Sequence, residues 1–283
     1  MRAICLIRPA PHYRREAFVA GLEANGYRVS LDRPVKPEAG DVLVLWNRYG
    51  MNDVLAAKWE AAGCPVIVAE NGYLGRDAED RQFYALALGD HNGAGQWTTP
   101  GDDSWGQRWA SLDATPAPWR APTPQGHILI CGQRGIGSAR MVVANDWRDG
   151  VVRRLRTKTK RPIRFRRHPA QAGPPMPPLE EDLAGAWACV IWASTAGVRA
   201  LILGVPVFYD APAWICSGAA RHGLDRIEEP MTDDARRSVA LSRMAWAQWT
   251  VEEIASGEPF RRLLALAGDV LPETRQGKIA AAL

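Results

Sequence analysis

Cysteine is scarce and scattered in this chain of 283 residues. The five cysteines, Cys5, Cys64, Cys131, Cys189 and Cys216, are odd in number, and no pair has metal-ligand spacing. Neither a disulfide framework nor a zinc site is expected, and the thiols read as buried groups of a cytoplasmic protein. No apolar run approaches the ~18 residues that a membrane span needs. Residues 1–7 read as a first strand, too short for a signal peptide. Internal repeats are absent, and no Asp-x-Asp follows a clear strand, so no catalytic metal is expected. Acidic residues are missing from 153–167, RRLRTKTKRPIRFRR, which holds nine Lys or Arg although the net charge is only +4. Such a run is either a solvated face or a site for a polyanion or nucleotide diphosphate.

What is present supports two α/β domains. Apolar residues make up 47% of the chain, enough for real cores, and its length fits two domains of about 120–150 residues. Residues 1–75 alternate strand and helix. Strands are expected at 3–7, 27–31, 41–46 and 65–69, with helices at 14–25 and 52–62. The continuous apolar run Val42–Trp46 predicts a strand buried on both faces, and the rhythm predicts a doubly wound parallel sheet. Arg48 and the segment Glu70-Asn71-Gly72-Tyr73 then fall just past strand ends, where ligand clefts form. Residues 76–113 break the rhythm. The stretch 86–97, rich in glycine and ending at Trp97, reads as a long turn or as an acceptor-binding loop.

A proline-rich connector, ATPAPWRAPTPQG at 114–126, marks the best boundary. The division is 1–118 for an acceptor-side domain, 119–126 for the linker, 127–240 for a second α/β domain and 241–283 for C-terminal helices. In the second domain strands are expected at 127–131, 162–166, 188–192 and 205–209, with helices at 145–156 and 197–203. Two places there suit an anion. One is Arg164-Phe165-Arg166-Arg167-His168-Pro169, a cationic strand ending in histidine. The other is the apolar strand ending at Trp192, followed by Ser194 and Thr195 at a helix N-cap, where free N–H groups attract phosphate.

His168-Pro169, followed by S-T-A-G-V-R-A-L-I-L-G-V-P-V at 194–207, resembles the motifs of bacterial capsule-polysaccharide glycosyltransferases, the β-Kdo transferases among them. The strand-plus-glutamine Ile128–Gln133 and Trp249–Gly257 extend the resemblance over roughly residues 127–257. It implies the GT-B fold: two Rossmann-like α/β domains facing each other across a cleft, with C-terminal helices packing back across the hinge. It also implies transfer of a sugar from a nucleotide-sugar donor, with no further cofactor. By resemblance His168 contacts the donor phosphate, with Arg166 and Arg167 adding positive charge and Ser194, Thr195 and Gly197 forming the second phosphate contact. Gln133 and Arg134 follow a strand and are candidates for base or phosphate, and Tyr209 for base or ribose.

The acceptor hydroxyl needs a base. Asp90 and His91, titrating neighbours beside glycine, are slightly favoured over Glu70, while Asp102 and Asp103 read as a solvated turn. Asn71, Trp97 and Arg48 are the acceptor-binding candidates. The resemblance implies a surface glycan or glycolipid as acceptor. The alternative is a hydroxymethylated base in duplex DNA, gripped by residues 153–167, as in bacteriophage enzymes. A non-catalytic nucleotide-sugar-binding protein and a nucleotide-sugar epimerase remain further alternatives.

Overall fold

The computed structural model describes residues 1–33, 36–76, 82–91, 93–100, 106–112, 114–121 and 123–268. Asn92, Asp102, Asp103 and Trp105 lie outside them. The chain forms two compact α/β units, one of residues 1–100 and 246–283, the other of residues 101–245.

The first unit is built on a six-stranded sheet. Its strands are β1 (Arg2–Leu6), β2 (Arg28–Ser30), β3 (Val42–Trp46), β4 (Val66–Arg76), β5 (Gln82–Leu88) and β11 (Gln248–Thr250), in the order β11-β5-β4-β3-β1-β2. Helices α1 (Arg15–Ala24) and α2 (Met51–Ala61) connect the parallel strands. All five residues of β3 are buried. Each side chain so buried is worth about 2 kcal/mol, so this apolar run fixes the centre of the sheet.

The sheet is mixed rather than wholly parallel, because β4 pairs antiparallel with β5 and β5 with β11. Glu70 and Asn71 are strand residues of β4, opposite Ala85 and Tyr84, and not the loop that the sequence predicts. Gly72 makes this possible: a Cβ there would stand 2.4 Å from the Phe83 Cβ, so only glycine lets the strands close. The register slips beyond Asn71. Gln248 Oε1 accepts the N–H groups of Tyr73 at 2.9 Å and Leu74 at 3.2 Å, satisfying donors at the irregularity.

The C-terminal segment belongs to this unit. Thr250 and Glu253 form a reciprocal capping box that starts α8 (Val251–Ser256). Helix α8 crosses α1 at Gly21, where a Cβ would fall 1.9 Å from the Ile254 carbonyl oxygen. Phe260 and Leu263, on the helical residues 258–268, enter the same core as Phe18, Leu22 and Trp249. Residues 248–250 are thus strand where an all-helical tail is expected.

The second unit carries a five-stranded sheet of β6 (His127–Cys131), β7 (Ile163–Arg166), β8 (Ala186–Ile191), β9 (Val207–Tyr209) and β10 (Arg221–His222). Its order is β10-β9-β8-β6-β7, and every pairing is parallel. Helices α4 (Trp147–Lys158), α5 (Leu179–Ala184) and α6 (Ala196–Ile202) connect the strands, with α3 (Gln107–Ala110) and α7 (Asp234–Ala245) alongside. The proline-rich segment packs on this unit. Ala117 N–H reaches the Ile202 carbonyl at 2.8 Å, and Arg120 N–H that of Gly204 at 2.9 Å. Gly204 has φ +73° and would place a Cβ 2.1 Å from the Pro118 carbonyl oxygen. The compact units therefore divide near Pro100 and Ala245, whereas the sequence puts its boundaries at 118–127 and 240.

Candidate active site

Both sheets reverse their strand order beside their first strand. In the second, β6 lies between β7 and β8, so the chain winds outward in both directions from the gap between β6 and β8. Loops leaving the carboxyl ends there part to opposite faces and leave a crevice. Gly132 follows β6 with its N–H on the Arg166 carbonyl at 2.7 Å. A Cβ at Gly132 would come within 2.9 Å of Phe165 Cζ. Gln133 comes next, its Oε1 accepting the Ala193 N–H at 3.0 Å. Arg134 is exposed.

His168, just beyond β7, is half-buried. Its Nδ1 accepts the Ala170 N–H at 3.0 Å, and its own N–H donates to Gln171 Oε1 at 3.1 Å. With Nδ1 occupied as an acceptor, the neutral ring carries its proton on Nε2. Burial, then the charge of Arg134, pushes its pKa below the ordinary histidine value. His168 is therefore a neutral N–H donor with a guanidinium nearby.

Beyond β8, Ser194 Oγ accepts the Ala196 N–H at 3.2 Å. Thr195 stands at the N-cap of α6 with no side-chain capping bond, and its side chain is exposed. The helix is thus capped from Ser194, one residue earlier than a Thr195 cap would place it. Tyr209 ends β9 among aromatic rings, 5.8 Å from Trp214 and 5.0 Å from His222 between centroids.

Three of the donor-site expectations meet other partners. Arg166 donates to the Asp182 carboxylate and to the Pro177 carbonyl, the latter at 2.8 Å. Arg167 donates to the carbonyls of Gln171 and Pro174. Gly197 is a packing residue: a Cβ there would stand 2.6 Å from Ile191 Cδ1 and 2.7 Å from Trp214 Cζ2. The basic run 153–167 is likewise drawn into the fold. Arg154 pairs with Asp210, Lys158 with Asp225 and Arg161 with Glu228. Arg161 also lies 3.5 Å over the Trp187 ring. Arg199 pairs with Glu180 at 2.7 Å rather than facing a ligand.

In the first unit, Glu70, Asp90, His91 and Arg48 form one electrostatic cluster. Gly89, at φ +84°, turns the chain out of β5. Residues 88 and 96 then exchange two backbone bonds of 2.8 and 2.9 Å that close the Asp90–His91 loop. Gly95 fits beneath, where a Cβ would lie 2.1 Å from the Asp90 carbonyl oxygen. Asp90 Oδ1 accepts the His91 N–H at 2.9 Å and lies 3.0 Å from His91 Nδ1. Both side chains are only 1% exposed, and His91 Nε2 has no hydrogen-bond partner among the described residues.

Burial alone would lower the His91 pKa. The Asp90 hydrogen bond and the negative charges of Glu70 and Asp90 overcome burial and the opposing charge of Arg48, so the net shift is upward. Glu70 is half-buried and accepts from the Tyr73 hydroxyl at 3.1 Å. Arg48 is bound to Asp53 at 2.7 Å, to both Glu60 oxygens and to the Gly89 carbonyl. That makes it a brace between α2 and the β5 turn. Trp97 packs half-buried on the first core, and Asn71 is exposed.

The first unit also holds a feature that no sequence motif signals. A crevice of about 450 Å³ opens where β1 and β3 diverge, lined by Arg8, Arg15, Arg33, Leu31, Tyr49 and Met51 among others. These residues come from four separate segments, and only the strand order brings them together.

No protein-family model and no curated protein sequence matches the chain. Solved structures do. The chain is similar in fold to Thermosulfurimonas dismutans KpsC, beta Kdo 2,7 transferase, with TM-score 0.52 and 12% identity over 91% of this chain and 98% of that one. It is similarly related to the beta Kdo 2,4 transferase of the same organism's KpsC, with TM-score 0.51 and 14% identity over 90% and 98% of the two chains. No described helix is long and apolar enough to cross a membrane.

Proposed function

We propose that the chain is a GT-B glycosyltransferase that moves a sugar from a nucleotide-sugar donor to a hydroxyl of a glycan or glycolipid acceptor. The observation that carries this reading is the gathering of Gln133, Arg134, His168, Ser194 and Tyr209 along one carboxyl edge of an all-parallel sheet, around its switch point. Likeness in fold to two Kdo transferases supports it.

In the reaction the bond from the anomeric carbon to the donor phosphate breaks as the acceptor oxygen bonds to that carbon. The electron pair leaves with the phosphate. The Arg134 charge and the His168 Nε2–H stabilise the negative charge gathering there, the imidazole being set in place beforehand by the Ala170 N–H on its Nδ1. Ser194 and Thr195 offer hydroxyls to the same phosphates, and Tyr209 a flat face to base or ribose. Arg166, Arg167 and Gly197 take no part, since each is committed to the fold.

The acceptor proton goes to a carboxylate. Glu70 suits this better than the Asp90–His91 pair, because Glu70 reaches solvent and the pair is sealed. Asp90 and His91 act behind it, as a buried hydrogen-bonded pair in the same electrostatic cluster. No step requires a metal or a further cofactor. Five unbridged, buried thiols suit a cytoplasmic setting.

The DNA alternative draws less support, because four of the nine cations in the run, Arg154, Lys158, Arg161 and Arg166, are paired with acids within the second unit, and neither solved structure of similar fold is named for DNA. The test is incubation with a panel of nucleotide sugars and glycan or glycolipid acceptors, followed by product analysis. Acceptor-dependent release of nucleotide supports the reading. Donor isomerisation without an acceptor favours an epimerase, and binding without turnover favours a non-catalytic protein.

A further inference from the structure

We infer that the crevice between β1 and β3 is a binding site for a phosphate or carboxylate group attached to an apolar moiety, and that it holds the acceptor. The first half stands on the first unit alone. The assignment to the acceptor rests on the transferase reading.

Three arginines converge on the crevice from separate segments: Arg8 after β1, Arg15 at the start of α1 and Arg33 after β2. Arg8 and Arg33 are held by neutral groups, and none of the three has a carboxylate closer than 4.0 Å among the described residues. Arg33 donates to Asn52 Oδ1 at 2.9 Å, while the Asn52 amide is itself anchored to the carbonyls of Trp46 and Asn47 at 3.2 and 3.1 Å. Arg8 rests on Tyr13, 3.5 Å from its hydroxyl, and Tyr13 packs edge-on against Trp46 at 4.7 Å. Arg15 has only Glu16, at 4.0 Å, and that carboxylate is 79% exposed. Elsewhere in the chain the guanidinium groups of Arg2, Arg48, Arg154, Arg161 and Arg166 each meet an acid at 2.9 Å or closer. Three cations around one cavity, two of them positioned by neutral groups and the third with only a distant, exposed carboxylate, are arranged for an anion from outside.

The rim supplies the second half. Leu31, Tyr49 and Met51 line the same crevice and are 46%, 39% and 70% exposed, and Val54, one turn along α2 from Met51, is 53% exposed. Large apolar side chains left in water together at a concave site mark a surface that is covered in use. Sugar hydroxyls alone need neither feature. An anion joined to an alkyl chain or an aromatic ring uses both.

The test is calorimetric titration of the whole chain, without donor, with octyl phosphate, phenyl phosphate and inorganic phosphate. Both esters should bind more tightly than inorganic phosphate, and whichever ester binds better shows whether the apolar part is a chain or a ring. The paired substitutions Arg8→Gln and Arg33→Gln should weaken ester binding at least tenfold without moving the thermal midpoint. Met51→Ser should weaken the esters and leave inorganic phosphate unchanged. The exposed Arg236→Gln in the second unit is the control and should change nothing. Equal binding by the Arg8/Arg33 variant and the native chain overturns the site. If the variant loses ester binding yet donor turnover keeps its KM for the acceptor, the acceptor assignment falls while the anion site stands. A chain that binds the esters as expected but turns over no donor removes the transferase reading alone.

Discussion

Gln133 Oε1 accepts the Ala193 N–H at 3.0 Å, tying the loop after β6 to the loop after β8 where the second sheet reverses its order. Ala193 is 3% exposed, so its amide has little water to fall back on. Replacing Gln133 with alanine leaves that donor unsatisfied, at a cost of about 1–3 kcal/mol. Donor affinity and the thermal midpoint of the Gln133→Ala protein should both fall. Gln133→Glu retains an acceptor and should recover the midpoint, but it adds negative charge and should still bind donor poorly.

Under the proposed function, loss of His168 removes a phosphate contact. His168→Ala should lower donor affinity or turnover at least tenfold, which corresponds to about 1.4 kcal/mol, and Arg134→Gln should do so to a similar extent. Arg166→Gln behaves differently. Its guanidinium holds Asp182 and the 177 carbonyl, so the change should lower stability with little effect on donor affinity measured in the cold.

Glu70→Gln should reduce kcat by about 10²-fold or more, the lower range for a general base, with the donor KM unchanged. Asp90→Asn and His91→Gln should reduce it less and cost stability, since they alter buried groups behind the carboxylate. Pre-steady-state measurement of the chemical step separates these effects. Equal losses at Glu70 and His91 would return the base to the imidazole.

The two histidines give opposite pH signatures in unfolding. The His91 pKa is raised in the folded state. Its stabilising contribution is therefore fully present below the ordinary histidine value and disappears as pH rises through the raised value. The His168 pKa is lowered, so the unfolded chain takes up that proton first, and stability falls as pH drops through the ordinary value towards the lowered one. Denaturant titrations across this range should show His91→Gln flattening the high-pH side and His168→Gln the low-pH side.

Gly204→Ala tests the packing of the proline-rich segment. A Cβ there meets the Pro118 carbonyl oxygen at 2.1 Å on a backbone of φ +73°. Crowding and left-handed strain together should cost about 1–3 kcal/mol or more, read as a lower thermal midpoint.

Much of this architecture is legible in the sequence. Continuous apolar runs such as Val42–Trp46 and Ile128–Cys131 have no other use than buried parallel strands, and Gly26, Gly63 and Gly204 end their helices or turns at positive φ. Short-range rules misread Glu70-Asn71-Gly72, because Asn-Gly is ordinarily a turn. Here the glycine serves a close strand contact, and the partner strand β5 reads from its sequence as the start of a loop. Arg166 and Arg167 read as free cations because the acid and carbonyls that hold them lie 4 to 16 residues along the chain. The arginine crevice was invisible for a related reason. Only the β2-β1-β3 order brings residues 8, 15, 33 and 51 to one place.

The central claim is tested most directly by following nucleotide release from a panel of nucleotide sugars, with the native chain beside His168→Ala and Glu70→Gln. The account predicts that one donor is consumed in an acceptor-dependent reaction, that His168→Ala weakens its binding, and that Glu70→Gln binds it normally but barely turns it over. Donor binding and turnover unaffected by both changes would contradict it.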